Sequence, residues 1–405
     1  MIALSFQQPE VLTGLGGLPD WLAAHQGSRV EVIVDGAVLD GVGESVLRIL
    51  RRRRETTVHV TVPPDPGNGR ALGLAWLDAA LAGPAPDAIV AVGGGRIMDA
   101  AKLLAACLSE SSVRPRLESG ERCGWTPLPR SSAARIPLVA VPTTLGTGSE
   151  MSRFACFDEP AGRRLVQSDL LRPDLALLEP TATSQLGPAR VLESILEIFA
   201  RTAGPYVGTT AWKATQDRVS ETICARLVEI GTQVEISGEV SDEVRQDLAH
   251  LSGLTHSQWL NHGRDAFSDA SWFLAADLAT AAGSSKASAL ATLLPHAWRT
   301  DTPEEPLVAA DRVVALWSAV TAANGGLPRS PADGLRALLD RWELPRRLVA
   351  DIGSAELTRR TVRRWSGGLP MLARVSGGTI AGLYDACLER AAEAGTRAQT
   401  LTATR

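Results

Sequence analysis

The feature that most constrains the fold of this chain is a strand that runs into three glycines and then into a helix. The apolar run Asp87 to Val92 (DAIVAV) ends at Gly93-Gly94-Gly95, and helical periodicity follows over Ile97 to Leu108. A buried strand, a glycine turn and a helix form half of a parallel βαβ unit. The same rhythm surrounds it. Arg29 to Val34 (RVEVIV) reads as a strand, followed by Asp35-Gly36 and a helical pattern from Leu39 to Arg54. Val58 to Val62 is a strand, Ala71 to Leu81 a helix, and Ile136 to Val141 a further strand. Phe154 to Phe157 and Arg164 to Val166 suggest a hairpin, and Leu175 to Leu178 is the last extended run. Beyond Pro188 helical periodicity dominates, over Ala189 to Ala203, Trp212 to Ile230, Asp242 to Trp259, Ala270 to Ala282, Pro306 to Ala323 and Thr379 to Ala394. The predicted fold class is therefore an α/β domain with a parallel sheet over residues 1–185 and an all-helical domain over 186–395. A polar tail, 396–405, is expected to be flexible.

A chain of 405 residues exceeds one ordinary core, which agrees with that division. Composition enters mainly to exclude. With 45% apolar and 21% charged residues the chain is globular, and a net charge of -4 without long single-sign runs argues against nucleic-acid and membrane-surface roles. No uninterrupted apolar stretch is long enough to span a bilayer, and the N-terminus lacks the layout of a secretory signal. Five scattered cysteines point to neither a disulfide framework nor a structural zinc site, so a cytoplasmic location is expected. Among 41 basic residues only Lys102, Lys213 and Lys286 are lysines, so each lysine stands out against a strong arginine bias.

Three glycines between strand and helix let the backbone approach a ligand, and the helix start offers free N–H groups and a positive dipole end to a phosphate. After the next strand comes a second turn, Val141-Pro142-Thr143-Thr144-Leu145-Gly146-Thr147-Gly148-Ser149-Glu150, at the end of the sheet where α/β ligands collect. The order of these turns resembles the iron-containing alcohol dehydrogenase superfamily, relatives of glycerol dehydrogenase, maleylacetate reductase and dehydroquinate synthase. In that family GGGSxxDxxK and PTTxGTGSE line the dinucleotide cleft. The resemblance extends from Gly14-Leu15-Gly16-Gly17 through RPDLALLEP (Arg172 to Pro180) to LLPHAW (Leu293 to Trp298). It implies NAD(P) binding between an α/β and a helical domain, and a homodimer. The cofactor-binding positions it implies are Asp35, Gly93, Gly94, Gly95, Arg96, Asp99, Thr143, Thr144, Thr147 and Ser152, with Lys102 on the motif lysine. Arg96 replaces the usual serine, where a cation can face a pyrophosphate or stand exposed on the first helical turn. Asp35 has two readings: an acceptor for adenosine ribose hydroxyls, favouring NAD over NADP, or a plain turn residue before Gly36.

Family members usually hold a divalent metal with one Asp and three His, the first two spaced DxxxH on one helical face. At the matching positions this chain has Glu193 and Glu197. The later His-bearing stretch falls on Phe273 to Thr280, with Ala276 unable to bind metal, and the last His position is Lys286. The resemblance therefore implies loss of the usual metal. A residual site from Glu193, Glu197 and His256 or His262 is the alternative. The remaining histidines read as structural or surface residues.

Lys286 can supply positive charge to a substrate oxygen in place of the metal, with Glu193 and Glu197 beside it, or it can merely form a salt bridge with either glutamate. The leading expectation is an NAD-dependent oxidoreductase acting on a small-molecule or peptide hydroxyl. One branch similar to the superfamily oxidises a peptide C-terminal threonine to a β-keto acid that loses carbon dioxide, and Arg264, Arg201 or Lys286 could hold such a carboxylate. The rivals are a conventional small-alcohol dehydrogenase and a non-catalytic dehydrogenase-like subunit of a biosynthetic complex.

Overall fold

The computed structural model describes all residues except 1–7, 26–27, 54, 66–71, 120–122, 130, 132–133, 160–161, 266, 300–306 and 391–405. The expected flexible tail thus lies outside the described residues. The chain divides into two compact units, one of Met1–Gly187 with Val240–Gln258, the other of Pro188–Glu239 with Trp259–Arg405.

The first unit is built on a six-stranded sheet in the order Glu10–Thr13, Leu175–Leu178, Leu138–Pro142, Ala88–Gly93, Arg29–Val34, Thr57–Thr61. Every pairing in it is parallel. Both faces are covered, which is why its strands read as continuous apolar runs. Alternate residues divide between two cores: Ile33, Ile89, Ala91 and Ala140 pack with the helix Gly95–Ser109, while Val32, Val90, Val92, Val139 and Leu177 face the other side. From Arg29–Val34 the chain moves outward to Thr57–Thr61, but from Ala88–Gly93 it moves the opposite way to Leu138–Pro142. The winding direction therefore reverses between the two neighbouring strands that end at Asp35 and at the glycine turn. Crevices at such reversals, beyond the carboxyl ends of the strands, are where open α/β sheets bind ligands.

The expected hairpin is present, Phe154–Glu159 running antiparallel to Gly162–Gln167, with Trp125–Pro127 on its outer edge. Two expectations need correction. The helix predicted from Leu39 is α-helical only over Glu44–Arg51, because residues 36–43 form irregular turns broken by a non-helical Gly41. The segment Val240–Gln258, assigned from periodicity to the helical domain, packs in the first unit. Its helix Asp242–Leu254 carries Arg245, whose guanidinium donates to the carbonyls of Thr183 and Leu186. Periodicity reports that a helix has one apolar face, not which core receives it.

The second unit is helical apart from a two-stranded parallel pair, Leu348–Ala350 with Leu388–Arg390. That pair ends the helix Gly377–Cys387 earlier than the sequence pattern suggests. The helices Ala214–Ser237 and Ala270–Ala282 stop where Gly238 and Gly283 adopt φ of 66° and 57°, the left-handed geometry that glycine supplies without strain. Among the described residues no helix is long and apolar enough to cross a membrane.

Candidate active site

Parallel pairing sets Gly93 opposite Pro142, so the two glycine-rich turns leave the sheet side by side. Their packing is tight. A Cβ on Gly93 would lie 2.7 Å from Ile97, one on Gly94 3.0 Å from the Thr144 methyl, and one on Gly95 3.1 Å from that of Thr147. The glycines are thus required by contact with the threonine turn as well as by any ligand. Thr143 donates its N–H to the Gly93 carbonyl at 3.0 Å, closing the pair of turns.

The helix Gly95–Ser109 begins at Gly94 with no side-chain cap, and the N–H groups of Ile97 and Met98 turn back to the Gly94 carbonyl at 3.0 and 3.1 Å. Thr144 Oγ1 is buried beside this helix start without a hydrogen-bond partner. An uncapped helix N-terminus next to an unsatisfied hydroxyl is suited to accepting an anion.

Other candidates hold the turns from behind. The Asp99 carboxylate accepts from Ser149 Oγ at 2.7 Å and from the Cys156 N–H at 2.8 Å. Lys102 is wholly buried, donating to Ser149 Oγ at 2.6 Å and to the Phe154 carbonyl at 3.0 Å. Burial pushes its ammonium below the ordinary lysine value, and the charges of Asp99 and Glu150 oppose that shift. Ser152 Oγ accepts the Phe154 N–H at 3.0 Å. These three residues brace the threonine turn. Arg96 turns away from the helix start: Nη2 lies 3.2 Å from Asp35 Oδ2, and Nη1 donates to the Pro64 carbonyl at 2.8 Å.

In the second unit Glu193 and Glu197 share one face of the helix Pro188–Val207. Each has an arginine of its own helix as partner, Arg190 at 2.8 Å for Glu193 and Arg201 at 3.6 Å for Glu197. In place of the alternative glutamate–lysine bridge, Lys286 makes an aromatic contact. Lys286 Nζ lies 4.3 Å from the centre of the Trp272 ring, and the Arg201 guanidinium lies 5.5 Å from the same ring. Trp272 escaped the sequence reading, although it stands four residues before Ala276, one helical turn along the same face. Arg264 is unavailable to a substrate carboxylate, since it is buried and bonded to Asp217 at 2.6 Å. His256, one of the proposed residual metal ligands, sits in the first unit with Nε2 3.3 Å from the Thr147 carbonyl, and His262 is exposed.

A parallel sheet with paired glycine turns at its reversal point is an arrangement in which open α/β sheets bind ligands, dinucleotides among them. Residues 12–180 match the model of the iron-containing alcohol dehydrogenase family. It is 34% identical over 119 residues to phosphonoacetaldehyde reductase of Streptomyces viridochromogenes, covering 29% of this chain and 30% of that protein. It is 27% identical over 235 residues to the NADPH-dependent aldehyde reductase YqhD of Escherichia coli, covering 54% and 56%. The chain thus spans no more than about half of the length of these two relatives, 30% and 56%. Among solved structures, NADH-dependent butanol dehydrogenase A of Thermotoga maritima superposes with a TM-score of 0.75 at 14% identity, covering 96% of this chain and 99% of that one. Sulfoacetaldehyde reductase of Bifidobacterium kashiwanohense in complex with NAD+ gives 0.71 at 18% identity, covering 95% and 98%. These likenesses establish the shared two-domain fold.

The residues present fit a dinucleotide: the uncapped helix start and Thr144 Oγ1 would receive its pyrophosphate, and Asp35 ends the strand beside the glycine turn. They do not fit the family's metal. At the positions that the resemblance assigns to its ligands stand two arginine-paired glutamates, an alanine and a lysine. Among the described residues no group of three or more His, Cys, Asp or Glu side chains comes together to hold an ion.

Proposed function

We propose that this chain is an NAD-dependent oxidoreductase moving a hydride between a nicotinamide and a carbinol carbon, with Lys286 in place of a metal cation. The observation that carries the first half is the uncapped helix start set against the unsatisfied Thr144 hydroxyl. The names of the relatives, reductases and dehydrogenases of aldehydes and alcohols, support the same class. NAD, when bound, supplies the hydride acceptor. The protein's own part is to hold the substrate and to stabilise the negative charge that grows on its oxygen.

Lys286 suits that part because Glu193 and Glu197 pair with Arg190 and Arg201, while its ammonium lies over the Trp272 ring. Trp272, Arg201 and Lys286 together form a cationic aromatic floor. Such a floor favours a substrate carrying a carboxylate near the reacting hydroxyl, a β-hydroxy acid or a peptide C-terminal threonine. In this reading Arg201 or Lys286 receives that carboxylate. A homodimer belongs to the same proposal, on the family resemblance.

Two measurements test it. Calorimetric titration should show NAD binding, and NADH oxidation should be followed with small aldehydes and NAD reduction with β-hydroxy acids and a threonine-ended peptide. Cofactor binding without turnover across this panel would favour the non-catalytic subunit. Purified protein should also contain well under one divalent metal ion per chain, and a chelator should leave activity intact. Stoichiometric metal, removed together with activity, would reverse this view of the second unit.

A further inference from the structure

We infer that Arg96, through its pairing with Asp35, makes the ribose end of the site admit NADP alongside NAD; this rests on the dinucleotide reading above. Asp35 ends the strand Arg29–Val34, and its N–H donates to the Val92 carbonyl at 2.9 Å, so it stands directly beside the glycine turn. A lone carboxylate in such a place accepts from the ribose hydroxyls and repels a 2'-phosphate, whereas a neighbouring arginine can receive that phosphate.

Here the carboxylate is not alone. Asp35 Oδ1 accepts the Ala37 N–H at 3.1 Å and Oδ2 faces Arg96 Nη2 at 3.2 Å. The guanidinium is anchored from its other side by the Pro64 carbonyl at 2.8 Å. Of its five N–H donors, these contacts engage two. Both side chains are partly exposed, Arg96 15% and Asp35 27%, so a nucleotide can reach the pair.

The consequence is a balanced site. With NAD, Asp35 still has lone pairs for ribose hydroxyls, while Arg96 offsets its charge. With NADP, the remaining guanidinium donors form charge-assisted bonds to the 2'-phosphate, and the carboxylate's repulsion is already partly neutralised. Serine, the residue the related motif carries at this position, could do neither.

The test is calorimetric titration of the full-length protein with NAD+ and NADP+, on the unaltered chain and on Arg96→Ser, Arg96→Lys and Asp35→Ala. The unaltered protein should bind both nucleotides with affinities within about tenfold of each other. Arg96→Ser should weaken NADP+ by about tenfold or more and NAD+ by less than about threefold, because one charged contact is lost to the phosphate alone. Arg96→Lys should recover part of the NADP+ affinity, a rescue that damaged folding would not give. Asp35→Ala should shift the ratio further toward NADP+. NAD+ binding with NADP+ more than about a hundredfold weaker, or an NADP+/NAD+ ratio unmoved in Arg96→Ser, overturns the role of Arg96 while leaving the cofactor reading intact. Failure of the unaltered protein to bind either nucleotide overturns both.

Discussion

Lys286→Met should lower turnover by about 100-fold or more, the usual loss when one preorganised electrostatic contact to a reacting oxygen is removed. NAD+ affinity should not change, since the glycine and threonine turns belong to the other unit. Melting temperature separates this outcome from a structural role. Lys286 is the first residue of the helix Lys286–Ala297, whose cap is Ser285, with Oγ accepting the Ser288 N–H at 3.0 Å. A cation there opposes the positive end of the helix dipole by about 0.3–1 kcal/mol, and its contact with Trp272 returns about 0.5–1 kcal/mol. These effects nearly cancel, so Lys286→Met should melt within about 2 °C of the parent. Turnover unchanged in a well-folded Lys286→Met protein would remove Lys286 from the chemistry and shift weight to a non-catalytic role.

Much of this was legible from one dimension. The alternation of apolar runs and helical segments is enough to predict a parallel sheet, and the two glycine-rich turns identify its ligand edge, because strand order and turn composition are both local signals. What stayed hidden was the direction of long side chains. Arg96 begins a helix at the expected pyrophosphate, but its stem spans the distance to Asp35 and Pro64, residues brought near only by strand pairing. Asp99 and Lys102 look like ligand contacts in the motif, yet they point inward to Ser149, Cys156 and Phe154. Likewise the Glu193–Glu197 spacing correctly places two carboxylates on one face. It could not show that arginines three and four residues away on the same helix satisfy them, or that an indole would take the lysine. Spacing specifies a face, and only the tertiary structure specifies what that face meets.

The largest stability effect is expected at Arg312, far in sequence from any motif. Its guanidinium is wholly buried, donates to both oxygens of Asp217 at 2.8 and 2.7 Å and to the Tyr206 carbonyl at 3.2 Å, and lies 3.7 Å from the Tyr206 ring centre. Asp217 is also buried and further accepts from Arg264 at 2.6 Å and the Lys213 N–H at 2.7 Å. Removing one member of such a group leaves buried charge without its partner, at a cost of about 3–5 kcal/mol. Arg312→Met should therefore lower the melting temperature by roughly 10 °C. The exposed pair Arg346–Asp340 is the control: it has equally short contacts of 2.7 and 2.6 Å, yet solvent screens it, so Arg346→Met should leave the melting temperature nearly unchanged. Acid should act through the same cluster. Burial pushes the Asp217 carboxyl up, but the hydrogen bonds from Arg312, Lys213 and Arg264 outweigh it and hold the group below the ordinary aspartate value. A depressed value in the folded state means that this stabilisation is complete above the unfolded-state pKa, and fades as pH falls from there through the folded value. Melting temperature measured from pH 7 down to pH 3 should fall less steeply for Asp217→Asn than for the parent, although the variant starts lower. Parallel acid profiles for the two proteins, or an Arg312→Met protein as stable as Arg346→Met, would show that the second unit does not depend on this buried charge.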